Sequence, residues 1–169
     1  MIISNQVHSE IDQNSNEVAY LAGGCYWGLE DLIRKIPGVE QTKVGFSGGH
    51  VKNVSYGEVS RGDTGHAESI EIVFNTKKLT FENLLFKFFT MHNPTTINQQ
   101  GNDKGTQYRS SIFYTNDVQK NIAQQVINVV NKSKKWGNPV ITEIIAFTSF
   151  YPAEESHQKY ILKNPDGYS

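Results

Sequence analysis

The sequence predicts an α+β protein, namely a ferredoxin-like two-layer α/β sandwich. Apolar and polar residues alternate over 68–74, which is typical of a half-buried strand, whereas apolar residues recur at helical spacing over 81–91. The predicted elements follow the order strand, helix, strand, strand, helix, strand, which is the βαββαβ core of that fold. A further helix, a further strand and a C-terminal tail are appended to this core.

The first half of the chain supplies one helix and three strands, of which the third is the strand at 68–74. A run of mostly apolar residues predicts the first strand at 17–22, and apolar residues at helical spacing predict the first helix at 26–35, before a Pro-Gly pair. A second strand is expected at 40–46, before a glycine-rich loop over 48–66. Loops of this length inside a compact domain are usually functional, so we expect this one to help build a site.

The second half begins with Thr80, a good N-cap for the helix at 81–91. A polar loop over 94–107 follows and is the second expected contributor to a site. The remaining predicted elements are a strand at 108–114, a helix at 118–133, a strand at 140–147 and a short helix at 153–162.

Composition and charge exclude several classes of function. The chain has 169 residues, and we expect a flexible N-terminal arm at 1–16 and a single catalytic domain at 17–169. The net charge of −1 and the pI near 6.5 predict neither a nucleic-acid partner nor binding to a membrane surface. The polar N-terminus resembles neither a signal peptide nor a membrane span, so a cytoplasmic protein is expected. We also expect a monomer.

The only cysteine of the chain, Cys25, lies between the first predicted strand and the first predicted helix. Two glycines before it permit a tight turn. The first turn of a helix has unpaired N–H groups and the positive end of the dipole, so a thiol there ionises more easily and becomes a nucleophile. Tyr26 and Trp27 would form an apolar wall beside it. The alternative is that Cys25 is a small buried hydrophobic residue.

Four further residues are candidates for chemistry. Glu68 shares the phase of Ile70 in its strand and would point inward, where burial raises the pKa and keeps a proton available for donation. Tyr56 and Tyr108 could donate hydrogen bonds to a reacting oxygen. The alternatives are that Glu68 only begins a strand in water, that the tyrosines pack, and that Asp103 forms a turn.

The five histidines are not spaced as metal ligands, so no metal is expected. Either His50 or His66 could act as a base for Cys25, as in a cysteine acyl-transfer enzyme. No cysteine-hydrolase signature surrounds Cys25, but this second interpretation stays open.

Five motifs occur in order along the chain: GCYWG at 24–28, SGGH at 47–50, Tyr56 with GDTGHAE at 62–68, HNPTT at 92–96 and QGNDKGTQYRS at 100–110. Together they resemble the A-type peptide-methionine sulfoxide reductases, and the likeness runs from about residue 18 to the end. The resemblance implies reduction of the S-epimer of methionine sulfoxide, free or in proteins. It also leaves open a module that binds oxidised methionine without turning it over.

The resemblance implies a role for each matching residue. Cys25 matches the nucleophile, Glu68 the acid that protonates the sulfoxide oxygen, and Tyr56 and Tyr108 the hydrogen-bond donors to that oxygen. The matching substrate-binding residues are Trp27, Tyr26 (where the family usually has Phe) and Asp103.

One departure from the family concerns recycling of the enzyme. Many members have further cysteines that attack the oxidised nucleophile. Some have such a cysteine at the position of Ser60 and others have them near the C-terminus, whereas this chain has neither. A sulfenic acid on Cys25 would therefore need an external thiol, either glutathione with glutaredoxin or thioredoxin. No bound cofactor is expected.

Overall fold

The computed structural model of the protein describes residues 15–166. Most of the expected N-terminal arm, residues 1–14, lies outside this range. Asn16, the last residue of that arm, belongs to the first strand instead, where it pairs with Asn75. The backbone oxygen of Ser15 also accepts a hydrogen bond from the backbone N–H of Thr76 at 2.8 Å. The sheet therefore begins one residue earlier than the sequence predicts.

The described residues form strands and helices that alternate along most of the chain. The strands are β1 (Asn16–Gly23), β2 (Val39–Ser47), β3 (Ala67–Asn75), β4 (Gln99–Gln100), β5 (Asp103–Lys104), β6 (Ser110–Tyr114), β7 (Glu143–Ala146) and β8 (Phe150–Pro152). The helices are α1 (Tyr26–Ile33), α2 (Tyr56–Ser60), α3 (Phe81–Met91), α4 (Asp117–Ser133) and α5 (Tyr160–Lys163). Single 3-10 turns lie at Thr106–Tyr108 and Glu155–His157.

The main sheet has the strand order β7-β6-β1-β3-β2-β8. Its four central strands, β6, β1, β3 and β2, pair with one another in antiparallel fashion. This is the split βαβ arrangement, with β3 inserted between β1 and β2, so the predicted ferredoxin-like α+β fold is confirmed. The appended strand β7 pairs with β6 in parallel.

Several predicted boundaries differ from the structure. The loop at 48–66 contains the helix α2, whose start is stabilised by a capping box between Ser55 and Glu58. The strand predicted at 108–114 begins only at Ser110, because Tyr108 ends a 3-10 turn. The helix predicted at 153–162 is interrupted by Lys159, which adopts a left-handed conformation with φ of 52°.

The largest core lies between the sheet and the helices α1, α3 and α4. Strand residues of one phase are fully buried there, and cross-strand partners share that face, as Leu21 and Ile70 do. Leu29 and Ile33 of α1 and Phe88 of α3 pack against them. This packing holds the end of β1 and the start of α1 in a defined position.

No helix within residues 15–166 is long and apolar enough to cross a membrane.

The buried phase of β3 can be tested with two isoleucines of different exposure. Ile70 is 0% exposed and Ile145 of β7 is 42% exposed. Replacing Ile70 by Ala should lower the free energy of unfolding by about 2–5 kcal/mol, because it removes buried methyl groups and leaves a cavity. The matched change Ile145→Ala should cost much less. Equal losses in urea unfolding would contradict the assignment of the core face.

Candidate active site

The turn between β1 and α1 places Cys25 at the start of the helix. Cys25 is the N-cap residue of α1, and its backbone oxygen accepts a hydrogen bond from the N–H of Leu29. Gly24 has a φ of +93°, which glycine adopts without strain. A Cβ atom on Gly24 would lie 2.6 Å from Cγ of Gln100, and one on Gly23 would lie 2.9 Å from Cδ2 of His92. Both glycines are therefore required for this close packing behind Cys25.

Glu68 lies at the start of β3 with its carboxyl group against the start of α1. It is 1% exposed, and its Oε1 accepts a hydrogen bond from the backbone N–H of Tyr26 at 3.1 Å. Burial raises the pKa of Glu68 from 4.5 to about 8; the bond from Tyr26 opposes that rise and the negative charge of Asp103 adds to it. At neutral pH this carboxyl group therefore keeps its proton, and it is hydrogen-bonded to the residue that follows Cys25.

A pocket of about 500 Å³ opens beside Cys25. Trp27, Tyr56, Asp103 and Tyr108 also line it, so the structure brings together residues from α1, both predicted site loops and the turn before β6. The pKa values of Tyr56 and Tyr108 are raised, mainly by burial and next by the charge of Glu68. Both phenols therefore keep their protons and can donate hydrogen bonds into the pocket.

Asp103 is carried to the pocket by a short hairpin. It pairs with Gln100 between β4 and β5. The side-chain amide of Gln100 donates to the backbone oxygen of Asn93 and accepts from the N–H of Asn93, each at 2.8 Å. The hairpin is thus tied to the segment after α3 while Gln100 packs on Gly24.

Residues 17–169 of the chain match one known family. The description "Peptide methionine sulfoxide reductase" covers residues 17–169. A peptide methionine sulfoxide reductase, MsrA 2 of Rhodopirellula baltica, is 49% identical over 153 residues, which are 90% of this chain and 89% of that protein. Methionine sulfoxide reductase A of Corynebacterium diphtheriae has a similar structure, with a TM-score of 0.87, 37% identity and coverage of 92% of this chain and 78% of that chain.

This chain belongs to the peptide methionine sulfoxide reductase family. It is accordingly an oxidoreductase, and the family reduces methionine sulfoxide. Reduced Mxr1 of Saccharomyces cerevisiae is also similar, with a TM-score of 0.84 and 39% identity over 94% of this chain and 91% of that chain.

Tyr26 does not lie where the sequence analysis of this reductase predicts. It is fully buried, packs its ring 5.8 Å from that of Phe46 and is not among the residues that line the pocket. Consecutive residues of a helix point about 100° apart, and here the side chain of Tyr26 is turned into the core whereas Trp27 lines the pocket.

Two aromatic residues near the end of the chain contact Trp27, and sequence reasoning missed their role. The ring of Tyr160 stacks on Trp27 with centroids 3.9 Å apart and an angle of 12°. Nδ1 of His157 accepts a hydrogen bond from Nε1 of Trp27 at 3.0 Å and lies 3.1 Å from the hydroxyl of Tyr26. Burial lowers the pKa of His157. The only signal in the sequence was that the resemblance to the family extends to the end of the chain.

The interpretation of His66 as a catalytic base has no geometric support. Its Nδ1 accepts from the N–H of Gly49 at 3.1 Å, and its Nε2 therefore carries the proton that it donates to the oxygen of Val51 at 2.6 Å. His66 is buried and does not line the pocket with Cys25. Within residues 15–166, no group of three or more His, Cys, Asp or Glu side chains is arranged to hold a metal ion.

Replacement of Glu68 by Gln tests the raised pKa through stability. The folded state keeps the proton up to about pH 8 and the unfolded chain releases it near pH 4.5, so this group makes the parent less stable as the pH rises between these values. Gln does not titrate. The free energy of unfolding of Glu68→Gln, relative to the parent, should therefore rise by up to about 1.4 kcal/mol per pH unit in that window.

Urea unfolding of both proteins across this pH range measures the difference, which should level off above pH 8. A difference that does not change with pH would contradict the raised pKa.

Proposed function

We propose that this reductase reduces the S-epimer of methionine sulfoxide, free or in proteins, through nucleophilic attack by the Cys25 thiolate. The observation that carries the proposal is the buried carboxyl group of Glu68, which accepts from the N–H of Tyr26 and has a pKa of about 8. A sulfoxide oxygen is a poor leaving group until it is protonated. The site thus pairs a thiol at a helix start with a nearby proton donor.

The proposed step balances atoms and charge. The thiolate of Cys25 attacks the sulfoxide sulfur and forms an S–S bond, while Glu68 gives its proton to the sulfoxide oxygen. The S–O bond of the substrate and the new S–S bond then break as the oxygen, with that proton, bonds to the cysteine sulfur. The products are methionine, a sulfenic acid on Cys25 and the carboxylate of Glu68; the cysteine sulfur loses two electrons and the substrate sulfur gains them. Hydroxyl groups of Tyr56 and Tyr108 would stabilise the charge that develops on the oxygen.

The pocket supports selection of the methionine side chain. Trp27, backed by Tyr160, offers a flat apolar surface for the S-methyl group, and Asp103 supplies a polar group on another wall. A volume of about 500 Å³ has room for the side chain together with part of a peptide backbone. Tyr26 would affect substrate preference only indirectly, through the position of Trp27.

Recycling is proposed to use a thiol from another molecule. The chain has one cysteine, so a sulfenic acid on Cys25 has no second cysteine of its own to react with. Mxr1 of Saccharomyces cerevisiae was also solved in complex with Trx2; that structure has a TM-score of 0.59 and 26% identity over 88% of this chain and 87% of that chain. This supports thioredoxin as a reductant, and glutathione with glutaredoxin supplies the same chemistry.

Single turnover without reductant tests the proposed chemistry. The enzyme should form about one methionine per molecule from the S-epimer and none from the R-epimer, and its mass should rise by about 16 Da on Cys25, because one oxygen is transferred. Cys25→Ser is the matched control and should form no methionine. Full activity of that variant, or equal reduction of both epimers, would rule the proposal out.

Parallel steady-state assays test whether an external thiol recycles the enzyme. Dithiothreitol, glutathione with glutaredoxin, and thioredoxin should each support turnover, because the first thiol only has to form a mixed disulfide with Cys25. A thioredoxin variant that keeps only its attacking cysteine should stay trapped on Cys25. Turnover that needs no external thiol would contradict intermolecular recycling.

A further inference from the structure

The helix α1 carries a buried carboxyl group, on Glu30, that the proposed chemistry does not use. Glu30 is 0% exposed. Its Oε2 accepts a hydrogen bond from the hydroxyl of Thr42 at 2.7 Å, and its Oε1 accepts one from the backbone N–H of Lys159 at 2.7 Å. Burial of a carboxyl group is costly unless its partners are specific, so these contacts need a reason.

The second of these contacts ties a distant part of the chain to α1. Lys159 follows Gln158, whose side-chain amide accepts from the N–H of Val44 at 2.8 Å and donates to the oxygen of Val44 at 2.9 Å. The ammonium group of Lys159 donates to the oxygen of Thr42 at 2.9 Å and lies 3.5 Å from Oε2 of Glu30. Residues 153–163 are thus fixed between β2 and α1; we call them the 153–163 segment.

The 153–163 segment also forms the support of Trp27. Residues three apart on a helix share a face, so Trp27 and Glu30 both face this segment. His157 accepts the indole hydrogen bond of Trp27, and Tyr160 stacks on its ring, respectively two residues before and one residue after Lys159. The position of Trp27 therefore depends on the point where Glu30 binds the backbone.

We propose that Glu30 is a positioning residue of the reductase, which anchors the 153–163 segment so that His157 and Tyr160 hold Trp27 in place at the substrate pocket. This inference rests on the proposed function of Trp27 in substrate binding. Glu30 contacts neither the substrate nor the reacting atoms. Its loss should weaken substrate binding and leave the chemical step at Cys25 and Glu68 largely intact.

Three variants separate anchoring from a general loss of stability. Glu30→Leu fills a similar volume but removes the acceptor of the Lys159 N–H. Thr42→Val removes the other bond to the same carboxyl group and leaves the bond to the 153–163 segment. Glu30→Gln keeps an oxygen for the Lys159 N–H and can donate to the hydroxyl of Thr42, so it should restore the function that Glu30→Leu loses.

Trp27 provides a direct readout, because the chain has only two tryptophans. In a Trp136→Phe background the emission comes from Trp27 alone. Glu30→Leu should shift this emission to longer wavelength, since the indole loses its contacts with His157 and Tyr160 and gains water. Thr42→Val and Glu30→Gln should keep the emission of the parent.

Single-turnover rates at increasing substrate concentration complete the test. In Glu30→Leu the half-saturating concentration should rise about tenfold or more, while the rate at saturation stays within about threefold of the parent. An unchanged emission and half-saturation in Glu30→Leu, or the same changes in Thr42→Val, would overturn the proposal. If the parent were inactive, the proposed function would fail, whereas the emission would still decide whether Glu30 anchors the segment.

Discussion

The hydrogen bond from the backbone N–H of Tyr26 to Glu68 is the interaction on which the site depends. It joins the first residue of α1 to the start of β3. It thereby fixes a buried carboxyl group next to the residue that follows Cys25. Burial keeps that group protonated at neutral pH in spite of the bond, which by itself favours the charged form. The proposed nucleophile and the proposed proton donor are therefore held by backbone geometry.

The sheet and the glycines make this arrangement possible. Antiparallel pairing of β1 with β3 and β6 sets the level at which β1 ends, and Gly23 and Gly24 allow His92 and Gln100 to pack directly behind the turn. Side chains from separate loops then complete the pocket around Cys25. His157 and Tyr160 contact Trp27, which lines the same pocket as Cys25. One short helix therefore links the proposed catalytic groups to the proposed substrate wall.

Local patterns predicted the core and missed contacts made across the chain. The phase of β3 correctly indicated an inward Glu68, because a strand has a strict period of two. The capping box from Ser55 to Glu58 was a visible signal for α2 that the loop interpretation passed over. Tyr26 was assigned to the pocket from its position beside Cys25, but its side chain is buried in the core. His157 and Tyr160 meet Trp27 only through tertiary packing, which no local pattern reports.

In the proposed mechanism Glu68 delivers its proton while Cys25 attacks the sulfur. Its most direct test is the single-turnover rate of sulfoxide reduction as a function of pH, in the parent and in Glu68→Gln. We expect a rate that falls as the pH rises through about 8 in the parent, and a much lower rate without that fall in the variant. The same rate and pH profile in both proteins would contradict proton donation by Glu68.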